Sequence, residues 1–114
     1  MAKDRISKVE ELLKREVGKI IFREVEMPEQ ALVTLTRVQA SGNLQQAKVY
    51  ISVVPDERAK EVLKTLGQNI FDIQQTINRK LKMRPVPKII WVLEKATAEA
   101  QRIEELLDKI REKG

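Results

Sequence analysis

Apolar residues in the first quarter of the chain return at steps of three and four. Ile6, Val9, Leu13, Val17 and Ile20 make the stripe, with Leu12 and Ile21 widening it, which predicts an amphipathic helix over residues 6–25. Gly18 lies inside the helix and weakens it. Met27-Pro28 ends it, because the residue before a proline leaves the α region. The period then changes to two. Ala47, Val49, Ile51 and Val53 alternate with Lys48, Tyr50 and Ser52, giving a strand at 46–54, and the β-branched residues of 31–40 predict its partner. The turn-forming Ser41-Gly42-Asn43-Leu44 between them makes the pair a hairpin.

Pro55-Asp56 stops the second strand. Helical spacing resumes through Val62, Leu63, Leu66, Ile70, Ile73, Ile77 and Leu81 to about residue 83. So long a run is unusual in a globular helix. Gly67-Gln68-Asn69 lies in its middle, and Gly67 and Asn69 are the residue types most willing to leave helical geometry, so two helices broken there are expected. Arg84-Pro85-Val86-Pro87 ends the second of them. Lys88–Glu94 has apolar residues on both faces, which predicts a third strand central in its sheet. Thr97 is placed to cap a last helix with the stripe Ile103, Leu106, Leu107 and Ile110. The order α-β-β-α-(break)-α-β-α predicts one α+β domain over residues 1–114, with helices packed on a three-stranded sheet.

Composition narrows the chemistry. The chain has no cysteine and no histidine. That excludes disulfides, Cys/His zinc sites, nucleophilic cysteine, Ser-His-Asp triads and imidazole bases. No Walker loop or G-x-G-x-x-G is present. Glu10-Glu11 and Glu104-Glu105 read as solvated, salt-bridged helix surfaces rather than catalytic carboxylate pairs. The expectation is a protein with no enzymatic activity, cofactor, metal or small-molecule substrate. No apolar run reaches the ~18 residues of a membrane span, and Met1–Arg5 leads into a helical pattern rather than a signal-peptide core, so a cytoplasmic protein is expected.

The net charge of +5 points to an acidic partner, and its distribution says where. Residues 1–25 carry +2 and residues 56–84 carry +3, while the hairpin and the final third are neutral. Arg79, Lys80, Lys82 and Arg84 are four cations within six residues, with no acid among them. Cations at a helix C-terminus also complement the macrodipole, so spacing alone leaves both a solvated helix end and a phosphate-contact patch open. Lys3, Arg5, Lys8, Lys14 and Arg15 give the first helix a second basic set, with Lys8 and Arg15 on one face and Glu11 between them. Five acids in the same stretch disfavour an anionic membrane surface as the partner. Trp91 lies in an apolar run and is expected in the core, which leaves Tyr50 without the second solvent-facing aromatic that an RNA-recognition-motif platform needs.

The helix–hairpin–broken helix–strand order resembles a type II KH domain, although the G-x-x-G loop of such domains is missing and only Gly67-Gln68-Asn69 stands in its place. Four segments resemble the bacterial ribosome-binding factor A family. Asn43-Leu44-Gln45-Gln46-Ala47-Lys48-Val49-Tyr50-Ile51-Ser52 is similar to its D-L-x-x-A-K-V-Y-[VI]-[ST]. Leu81-Lys82-Met83-Arg84-Pro85-Val86-Pro87 is similar to its L-x-[LM]-R-x-x-P, and Gln101-Arg102-Ile103 with Leu106-Leu107 to its R-[IM]-x-x-L-[LI]. Arg5-Ile6 opens a long helix that closes at Pro28. The chain diverges where the family has an Ala-x-Gly kink, carrying Asn69-Ile70-Phe71 instead, and it has Asn43 and Glu94 where aspartate is usual.

The resemblance implies a monomeric, non-enzymatic small-subunit assembly factor of the cytoplasm. Such a factor binds immature 30S ribosomal subunits and 16S rRNA, aids maturation of the rRNA 5′ end, and supports growth in the cold. On that reading Arg79, Lys80, Lys82 and Arg84, then Arg5, Lys8, Lys14 and Arg15, make the RNA contacts. Lys48 is weaker, being expected on a helix-covered sheet face. The alternative is a KH-like protein-interaction module that does not touch RNA and docks a partner on the 103–110 stripe.

Overall fold

The computed structural model describes residues 2–95. Thr97, the final helix with its 103–110 stripe, and the Gln101–Leu107 motif lie outside the described residues. Helix α1 runs Ala2–Glu24 and buries Leu13, Val17 and Ile20, the C-terminal part of the predicted stripe. Val9, Leu12 and Ile21 pack partly buried beside them. Gly18 sits in this helix with nothing within 4 Å of where a Cβ would stand.

Strands β1 (Leu32–Ala40) and β2 (Gln46–Val54) form the antiparallel hairpin, and β3 (Lys88–Leu93) pairs parallel to β2, in the order β1-β2-β3. The connection from β2 to the parallel β3 runs through a 3-10 turn (Asp56–Arg58) and helices α2 (Ala59–Gln68) and α3 (Ile70–Lys80). Parallel neighbours need such a crossover. The period-2 reading of β2 holds: Ala47, Val49, Ile51 and Val53 are all buried and face the helices. Val62 and Leu66 of α2 and Ile73 and Ile77 of α3 complete the same core from the other layer. This is a KH-like α+β arrangement.

Three expectations are corrected. β3 is an edge strand and β2 is the central one. Apolar residues on both faces of β3 reflect Ile89 and Trp91 packed towards the core, with Ile90 and Val92 half-buried on the opposite face. The strand read as central therefore has only one neighbour among the described residues. Lys48 lies on the face away from the helices, because Ala47 and Val49 on either side point into the core. The second half of the broken helix ends at Lys80, before 83. Leu81 is extended (φ −91°, ψ 138°), with its side chain buried.

The helical run is interrupted by one residue. Asn69 (φ −98°, ψ 1°) closes α2 and opens α3. Its backbone N–H and its side-chain Nδ2 both donate to the Thr65 carbonyl, at 3.1 and 2.8 Å, which satisfies an otherwise orphaned helix-end acceptor. Gly67 stays inside α2 with negative φ and open space at its Cβ position.

A basic track and its cleft

The sequence scatters its cations over two distant stretches, and the sheet topology brings them side by side. Helix α3 packs against α1, and Lys80 in its last turn reaches Glu16 of α1, with Nζ 3.8 Å from Oε2. Glu16 also meets Arg15 Nε at 3.5 Å and Lys19 Nζ at 3.8 Å. One carboxylate, only 15% exposed, thus sits among three cations. The segment after α3 then runs beside α1 towards its N-terminus. Arg84 comes to line the same cleft as Arg5, roughly 16 Å back along α1 from Glu16 at 1.5 Å per residue.

This arrangement sorts the candidate residues. At about 100° per residue on α1, Arg5, Lys8, Arg15 and Lys19 share the flank that carries Glu16. Lys14 is turned by about 120° from Lys8. It belongs to the opposite flank with Glu10, whose Oε2 accepts the Ala40 N–H of β1 at 2.9 Å. The structure therefore brings Arg5, Lys8, Arg15, Lys80 and Arg84 into one track and does not bring Lys14 with them. Arg79 and Lys80 are in the last turn of α3, whereas Lys82 and Arg84 lie beyond the helix. All four are exposed. Glu10 holds a strand amide in place of the solvated salt bridge expected of it.

The cleft at the end of the track is open and encloses about 530 Å³. Its walls are the start of α1 (Arg5, Ile6), the β1–β2 turn at 42–44 and the segment 83–85. Arg84 is held in place: its Nη1 donates to the Leu81 carbonyl at 2.8 Å and to the Met83 carbonyl at 2.6 Å. The turn is equally fixed. Leu44 N–H donates to the Ser41 carbonyl at 2.9 Å, and Asn43 Oδ1 accepts from Ser41 Oγ at 2.7 Å and from Gln45 N–H at 3.1 Å. Leu44 itself has φ 57°.

On the outer face of the sheet, the Arg37 guanidinium lies 3.9 Å from the Tyr50 ring centroid, and the Tyr50 hydroxyl donates to Gln39 Oε1 at 3.1 Å. Trp91 packs against the core as expected, so Tyr50 has no aromatic companion there among the described residues. Glu94 spans from the end of β3 to β1: it accepts from the Thr36 hydroxyl and, at 3.2 Å, from Arg37 Nε. The Thr36 hydroxyl is the largest cause holding the Glu94 carboxyl below its usual range. Burial pulls the other way, and Arg37 adds to the lowering.

Sequence reasoning missed Glu16, Gln74 and the turn at 42–44. Gln74 on α3 accepts the Ile89 N–H at 2.9 Å and donates to the Pro87 carbonyl at 3.1 Å, fixing the start of β3. A polar residue half-buried within an apolar helix stripe was the available signal. Among the described residues no helix is long and apolar enough to cross a membrane, and no group of acidic residues is placed to hold a metal ion.

A family model described as ribosome-binding factor A matches residues 5–107. The chain is similar in fold to the crystal structure of ribosome-binding factor A from Thermus thermophilus, with TM-score 0.65 and 20% identity over 77% of this chain and 93% of that one. It is similar too to a homology model of the Thermus thermophilus factor fitted into the cryo-electron-microscopy map of a 30S complex, with TM-score 0.63 and 24% identity over 75% and 90%. A Thermotoga maritima protein solved by NMR matches with TM-score 0.59 and 23% identity over 84% and 89%.

Proposed function

As the chain belongs to the ribosome-binding factor A family, we propose that it is a non-enzymatic assembly factor of the cytoplasm that binds the immature 30S subunit through 16S rRNA and assists late maturation, including processing of the rRNA 5′ end. The observation that carries this reading is the basic track. Lys80 and Arg84 continue the charge of Arg5, Lys8 and Arg15 along one side of α1, with the exposed Arg79 and Lys82 next to them in the chain, which suits a phosphate backbone read by shape and charge rather than by base edges. A protein of this kind works by occupying rRNA and leaving it, so it needs no reactive side chain. Its affinity falls with salt in proportion to the phosphates it neutralises.

The test is a titration of a fluorescently labelled 16S rRNA fragment at several salt concentrations. Reversing Arg79, Lys80, Lys82 and Arg84 to Glu flattens the salt slope if the track binds RNA. An unchanged slope removes the assignment. Co-migration of the intact protein with 30S particles on a sucrose gradient, lost in the reversed variant, carries the same reading to the subunit.

A further inference from the structure

The cleft between Arg5 and Arg84 has a chemistry that the rest of the track lacks. Midway along α1, Arg15 and Lys19, with Lys80 of α3, are shared with Glu16, but among the described residues no carboxylate lines this cleft. Two guanidiniums stand at it. The Arg84 group is already fixed through Nη1 by two carbonyls, which leaves its Nε and Nη2 edge to a ligand without the cost of ordering the side chain. Between the arginines the walls are apolar: Leu44, Met83 and Pro85. Leu44 holds a left-handed backbone, φ 57°, that leucine adopts rarely. The turn's hydrogen bonds keep it there, with Leu44 lining the cleft. Asn43 uses only its Oδ1 within the turn, so its Nδ2 has no partner among the described residues.

We infer that this cleft seats one unpaired nucleotide of the bound RNA, with Arg5 and Arg84 on the phosphates and the base lodged against Leu44, Met83 and Pro85. The inference rests on the rRNA-binding reading and deepens it. A phosphate can satisfy both guanidiniums at a cleft that no carboxylate lines among the described residues, Asp4 beside Arg5 facing the neighbouring hollow with Lys8. A planar base offers the apolar wall a face of any sequence, and the Asn43 amide meets an acceptor on its edge. The volume of about 530 Å³ falls within the range of small-ligand sites. Backbone contacts along α1 then give affinity, while the cleft selects RNA in which a nucleotide is free to leave its helix.

Three labelled RNA hairpins test this with the intact protein: one fully paired, one with a single bulged adenosine, and one with the same bulge abasic. The bulged hairpin binds about tenfold more tightly than the other two, the scale of burying one base face of roughly 60 Å² against apolar side chains at about 25 cal/mol per Å². Leu44→Asn, a residue that tolerates left-handed backbone, removes that preference. It leaves the paired hairpin's affinity, and the melting temperature to within about 3 °C, unchanged. If Leu44→Asn lowers the melting temperature further, amide shifts in the unaltered protein decide instead. Perturbation of Gly42 and Leu44 by the bulged but not the abasic hairpin supports the site, and its absence overturns it. Equal binding of all three hairpins with a normal salt slope overturns the nucleotide seat and leaves backbone binding intact. Failure to bind any of them overturns the functional reading itself.

Discussion

Lys80 Nζ stands 3.8 Å from Glu16 Oε2, so the last turn of α3 is tied to the middle of α1 by a carboxylate that two further cations also approach. Glu16 is an acid drawn into the basic track, so on the proposed rRNA reading it competes with phosphate for Lys80, Arg15 and Lys19. Glu16 is largely covered, but its partners are well exposed, so each pair contributes at most about 1 kcal/mol. Glu16→Gln therefore costs little stability and tightens binding of a 16S rRNA fragment by roughly two- to fivefold at low salt, measured by anisotropy. Weaker binding by this variant would show that Glu16 positions the cations rather than competing for them.

The two flanks of α1 separate the candidate residues. Lys8→Gln and Arg15→Gln, on the flank with Glu16, each lower the salt slope of RNA binding by about one. Lys14→Gln leaves it unchanged, since Lys14 lies on the flank with Glu10 that faces β1. An equal drop for all three would mean that RNA wraps both sides of the helix.

Gln74 supports the strand that closes the sheet. Gln74→Ala leaves the Ile89 N–H and the Pro87 carbonyl, both part-buried, without their side-chain partner, at a cost of about 1–3 kcal/mol in urea unfolding. Gln74→Glu keeps the acceptor for Ile89 but turns a carboxylate oxygen on the Pro87 carbonyl and Asn78 Oδ1, so it does not recover the loss. A loss below ~0.5 kcal/mol would show that water replaces the carboxamide.

Gly18 is a place to gain stability. It lies inside α1 and a Cβ there meets nothing within 4 Å, so Gly18→Ala stabilises by up to ~1 kcal/mol, or about 4 °C in melting temperature. RNA affinity is unchanged.

Glu94 makes one edge-to-edge link pH-dependent. Its folded-state pKa lies below the ordinary value of 4.5. The carboxylate therefore stabilises the fold above about pH 4.5, and that contribution disappears as the pH falls through the folded-state value. Glu94→Gln is accordingly less stable than the parent at neutral pH, and the two converge in acid. Parallel melting curves between pH 7 and pH 3 would refute this.

The strand and helix faces were legible where period alone decides them. The alternation of β2 named its buried residues, and the stripe of α1 named Leu13, Val17 and Ile20. Asn69 marked the helix break as a residue type willing to leave helical geometry, but Gly67 stays helical, and what Asn69 supplies is a side chain that serves the helix end it interrupts. Period does not say which element lies alongside which. β3 looked central because both its faces are apolar, yet its place at the sheet edge follows from the crossover. Lys14 and Lys8 looked equivalent until Glu10 and Glu16 showed which flank meets β1 and which meets α3. The cleft was hidden for the same reason: Arg5, Leu44 and Arg84 are each ordinary in sequence and meet only when the chain is folded.

The extra residue that Thr36 adds to β1, opposite the paired Leu35–Ile51 and Arg37–Tyr50, breaks the strand's regular repeat. At the end of that strand, Glu10 already occupies the Ala40 amide that would otherwise point outwards. An exposed edge of a sheet is a template on which another chain can add a strand, and bulges and charges are what blunt it. A second copy approaching β1 finds neither a continuous ladder nor a free amide at its end.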